Sequence, residues 1–107
     1  MGSSADDAVE RARQTNRRWI TRGRIADNTE RYMDELAARD PQLLGRVCRR
    51  ALDAARRASR ARRDPKPEFY ASIFSSASRE DRDRFLRDHF FTRLLSAEIQ
   101  ANHERRP

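Results

Sequence analysis

The fold turns on one stretch, residues 40–64, which reads DPQLLGRVCRRALDAARRASRARRD. Asp40 is a good N-cap, and Pro41 suits the first helical position, where a missing N–H costs nothing. No proline or run of turn formers follows until Asp64-Pro65. The span predicts a helix of about 23 residues, roughly 34 Å long. Leu44, Val47, Cys48, Ala51, Leu52, Ala55 and Ala58 recur at spacings of three and four and make one narrow, Ala-rich face. Arg46, Arg49, Arg50, Arg56, Arg57, Arg60 and Arg63 project from the other side, interrupted only by Asp53. A helix with one side apolar and the other cationic needs neighbours on the first and solvent or a polyanion on the second.

The chain is 107 residues long and carries a net charge of +7. That length fits a single domain. The charge is not spread evenly. Residues 1–24 sum to +3, 25–40 to −3, 41–66 to +7 and 67–107 to zero. The third helix and its connector therefore equal the whole net charge. The chain has 23 Arg and one Lys, a ratio that high-GC coding can produce, so the position of the arginines carries the argument rather than their number.

Core-forming residues are scarce. Leu, Ile, Val and Phe number 18, against 15 Ala. This predicts marginal folding in isolation and allows self-association or ordering by a partner. Ser4 with Asp7 forms a capping pattern for a first helix over about 5–22, ending at Gly23. Its stripe is thin, with Trp19 the one large anchor. Residues 1–24 thus read as a basic helix that frays alone, ahead of a single helical domain over 25–107. Asp27 and Glu30 open a second helix bearing Tyr32, Met33 and Leu36, which stops at Asp40 before Pro41. Its acids suit either of two partners: the arginines of the third helix, which they would mask, or Arg17, Arg18 and Arg22 of the first.

Phe69, Tyr70, Ile73 and Phe74 predict a short helix over 68–77 opened by Pro67, with a strand as the lesser alternative. Ser78 with Asp81 caps a last helix running to about Asn102. Its Phe85, Leu86, Phe90, Phe91, Leu94, Leu95 and Ile99 cover more than half the circumference, as in a helix central to a bundle or covered by another copy. The fold class is therefore all-α, a small bundle of four to five helices with a long Arg-rich third helix and an apolar C-terminal one.

Candidates for chemistry are few. His89 and His103 lie about 21 Å apart on one helix and cannot share a metal. Asp88 and His89 are consecutive and diverge. Ser75, Ser76 and Ser78 suit capping. Cys48 falls on the apolar stripe and reads as an inert buried thiol. A lone Cys excludes an internal disulfide, and three Gly leave little for a phosphate-cradling loop. A non-enzyme without metal or cofactor is expected. No apolar run reaches membrane-spanning length and no apolar leader opens the chain, which predicts a cytoplasmic protein.

The expected partner is nucleic acid, met at its phosphates by the Arg face, or an acidic protein surface. The aromatic residues cluster away from the Arg run, which favours phosphate or groove contact over base stacking. Residues 85–93 (FLRDHFFTR) resemble the last helix of the theta subunit family of bacterial DNA polymerase III. That resemblance implies a small helical accessory protein that binds a proofreading exonuclease subunit. It covers under a fifth of the chain.

Overall fold

The computed structural model describes residues 4–19 and 25–86. Five helices occur among them: α1 (Ser4–Arg18), α2 (Ile25–Arg39), α3 (Pro41–Arg60), α4 (Pro65–Ile73) and α5 (Arg79–Leu86). The fold is all-α and compact. Among the described residues α3 is the hub, touching α1, α2 and α4, while α5 leans on α2. The sequence pattern places a long last helix at the centre. Beyond Leu86 that helix, with Phe90, Phe91, Leu94, Leu95, Ile99 and both histidines, lies outside the described residues.

The capping chemistry of α3 is as expected at its start. The Asp40 carboxylate accepts from the Leu43 amide at 3.1 Å, and Pro41 occupies the first turn. Asp40 alone joins α2 to α3: its amide donates to the Leu36 carbonyl and its carbonyl accepts from Leu44.

The C-terminal end of α3 departs from expectation. The helix stops at Arg60, and Arg62 takes a left-handed conformation with φ of 59°. The Arg63 amide donates to the Ala58 carbonyl at 2.8 Å and the Arg62 amide to the Ser59 carbonyl at 3.0 Å. This is a Schellman turn. It was illegible because the position that glycine usually fills holds an arginine, whose Cβ costs roughly 1 kcal/mol in that conformation. Arg62→Gly should therefore raise stability by about 0.5–1 kcal/mol, read as a higher urea midpoint with an unchanged m-value. A lower midpoint would mean that the Arg62 side chain contributes more than its backbone costs.

The turn lets Asp64 cap α4, its carboxylate accepting from Lys66 N at 3.1 Å, so α4 begins at Pro65 rather than Pro67. It is helical as far as Ile73, short of the expected end at Ala77, and the strand alternative is excluded for this segment. Ser78 caps α5 as expected, accepting from Asp81 N at 3.0 Å.

α1 ends at Arg18, four residues before the expected stop. Trp19 N donates to the Asn16 carbonyl at 3.2 Å, tightening the last turn. Asn16, fully buried, holds the chain there: its amide Nδ2 donates to the Ala26 carbonyl at 2.9 Å, and its Oδ1 accepts from the Tyr70 hydroxyl at 2.7 Å. One side chain thus ties α1, the start of α2 and α4 together.

The core holds Ala8 and Ala12 of α1, Tyr32, Met33 and Leu36 of α2, the stripe of α3, and Phe69, Tyr70, Ile73 and Phe74. Phe85 and Leu86 complete it. Tyr32 stacks on Phe74 with ring centroids 4.6 Å apart and meets Phe85 edge-on at 5.5 Å. Trp19 packs its edge on Phe69 at 5.0 Å. Pairs of this kind add about 0.5–1.5 kcal/mol each beyond area burial. The aromatic rings thus supply what the Ala-rich α3 stripe lacks in volume.

Candidate nucleic-acid interface

α3 buries Leu44, Gly45, Val47, Cys48, Ala51, Ala54, Ala55 and Ala58. Arg46, Arg49, Arg50, Asp53, Arg56, Arg57 and Arg60 are all exposed. At about 100° per residue these seven occupy an arc of roughly 120°, with Asp53 on its midline. Six of the seven candidate arginines therefore share one surface. Arg63 does not lie on α3, because the helix ends at Arg60. It pairs instead with Glu68 at the start of α4.

The two possible destinations for the acids of α2 are now distinguished. Glu30 pairs with Arg13 at 2.6 Å and Arg17 at 2.9 Å, and Asp34 with Arg13 at 2.9 Å, both arginines lying on α1. Glu35 pairs with Arg84 of α5 at 3.0 Å. Arg13 has its pKa raised: burial opposes its charge, but hydrogen bonds and attraction from Glu30 and Asp34 outweigh that. Glu30, Asp34 and Glu35 are thus paired with α1 and α5 rather than with the arginines of the α3 arc. Arg13 was not singled out as a partner of these acids in the sequence. The spacing of Arg13 and Arg17, one turn apart on α1, is the signal that could have found it.

Asp53 reaches Arg56 only at 4.0 Å. Arg50 approaches the Ser75 hydroxyl at 3.5 Å, at the border with α4. Among the described residues Arg46, Arg57 and Arg60 have no acidic partner. On the other flank, a cleft of about 250 Å³ separates α3 from α1, lined by Asp7, Ala8, Arg11, Arg49, Leu52, Asp53 and Arg56. Arg11 thus adds a cation from a second helix, which periodicity within α3 could not reveal.

No described aromatic side chain is exposed beside the arc: Phe69, Tyr70, Phe74 and Phe85 are all buried. Phe85 and Leu86, candidates for core or oligomer contact, belong to the core of the single chain. Cys48 is fully buried, and burial pushes its thiol up to about 12, so it is unreactive at neutral pH. Among the described residues there is no cluster of three metal-ligating side chains, and no helix is long and apolar enough to cross a membrane. Of the segment that resembles the theta subunit, only Phe85 and Leu86 are described. No protein-family model matches the chain, and no curated protein or solved structure is significantly similar to it.

Proposed function

We propose that this protein is a non-catalytic nucleic-acid-binding module that grips phosphate backbones with the exposed arc of α3. The observation that carries this reading is the separation of charge. Glu30, Asp34 and Glu35 of α2 are paired with α1 and α5, while six arginines of α3 are exposed around Asp53. Such a surface draws in a polyanion by releasing its condensed counterions. The burial of the aromatic rings favours phosphate contact over stacking of single-stranded bases.

Titration of the protein with nonspecific duplex DNA and structured RNA at rising salt tests this. If about four phosphates are neutralised, affinity falls with a log–log slope of roughly −4, or about 10²-fold between 50 and 200 mM salt. Arg56, Arg57 and Arg60 changed together to Gln should make that slope shallower by about 2–3 and weaken binding at 50 mM salt by about 100-fold. Unaltered affinity in this triple variant would remove the arc as the site. Binding that is tighter to an acidic polypeptide than to either nucleic acid would instead favour a protein-binding adaptor.

A further inference from the structure

Asp53 is out of place on a surface that needs only to hold phosphates. Its carboxylate stands midway along the arc, repels phosphate, and is loosely held by Arg56 at 4.0 Å. Its side chain is 52% exposed. Helical geometry puts Arg46, Arg50 and Arg57 on one flank of it and Arg49, Arg56 and Arg60 on the other, each row about 40° from the Asp53 direction. Two cationic rows with a hydrogen-bond acceptor between them match a groove, where two phosphate strands border a floor of base edges.

We infer that α3 enters the major groove of B-form duplex DNA and that Asp53 accepts a hydrogen bond from the exocyclic amino group of cytosine on the groove floor. This rests on the nucleic-acid reading of the same arc. A helix about 10–12 Å across fits a major groove about 12 Å wide. The major groove of A-form RNA is too deep and narrow for a helix to enter. The stretch from Arg46 to Arg60 spans about 21 Å, or roughly six base pairs. Only cytosine and adenine offer donors there. Adenine sets its N7 acceptor beside the amino group, which repels a carboxylate, so cytosine is the better match. Arg11, across the cleft that Asp53 also lines, stands where the neighbouring phosphate strand would pass.

The test is fluorescence anisotropy with the full chain and three labelled duplexes: G·C-containing DNA, A·T-only DNA and G·C-containing RNA. The expected order is G·C DNA over A·T DNA by about tenfold, with RNA weaker than both. Asp53→Ala should abolish the preference while tightening binding to A·T DNA, because a like charge has gone. Asp53→Asn should shift the preference toward A·T DNA, since an amide matches adenine. Equal wild-type binding to both DNAs, a preference that survives Asp53→Ala, or tighter binding to RNA overturns the role of Asp53 and leaves the phosphate-gripping arc standing. Absence of binding to every duplex at low salt overturns both.

Discussion

Asn16→Ala is expected to destabilise the protein by about 3–4 kcal/mol, among the largest effects of any single substitution outside the aromatic core. The Asn16 side chain is fully buried and both ends of its amide are used, one by the Ala26 carbonyl and one by the Tyr70 hydroxyl. Truncation leaves two buried polar groups unsatisfied at about 1–3 kcal/mol each and opens a small cavity. For a chain of this size the melting temperature should fall by roughly 15 °C or more. Tyr70→Phe removes only the second bond and should cost about 1 kcal/mol. In the double variant the two losses should not add, because the Tyr70 hydroxyl is no longer there to be orphaned. Strict additivity, measured by urea unfolding of all four proteins, would show that the two side chains do not act as a unit.

This tether also shows where sequence reading stops. The caps of α3 and α5 were legible because Asp40 and Ser78 each act on an amide three residues away. The Arg arc was legible because one helix period places it. Asn16 carries no such local signal: its partners sit 10 and 54 residues on, in elements whose mutual arrangement no spacing rule specifies. The same holds for the acids of α2. In sequence the choice lay between the α3 arginines and Arg17, Arg18 and Arg22 of α1; the docking of α1 brought Arg17, and also Arg13, to Glu30, while Glu35 went to Arg84 of α5, which neither reading named. The early stop of α3 at Arg60 was hidden for a different reason. An arginine occupies the left-handed position, so the composition carried no glycine to mark it. A consequence for the site is that Arg63 leaves the arc and Arg11 borders it, so the candidate surface is built from two helices rather than one.

Alkaline pH should unfold the protein well before its arginines lose charge. Burial, reinforced by the nearby negative charge of Asp81, pushes the Tyr32 hydroxyl up to about 12, from an ordinary value near 10. Tyr70 is raised as well, by burial, and its neutral hydroxyl is the donor that Asn16 requires. The raised values mean that the folded state holds these protons more tightly than the unfolded chain. Stability from this source is therefore complete below about pH 10 and is lost as pH rises toward 12. For Tyr32 alone the loss approaches about 3 kcal/mol at the upper end, and Tyr70 adds to it. Melting temperature followed from pH 8 to 11.5 should begin to fall above about pH 9, where the buried Cys48 thiol would ionise in the unfolded chain, and drop more steeply above pH 10, where the tyrosines add to it. Tyrosinate absorbance should rise together with the loss of helical circular dichroism rather than ahead of it. Among the described residues the Tyr32 hydroxyl has no hydrogen-bond partner, so Tyr32→Phe removes its titration without orphaning a described neighbour and should flatten part of the alkaline limb. An alkaline limb that is the same in Tyr32→Phe as in the wild type would remove Tyr32 from the account and assign the transition to Tyr70 and Cys48.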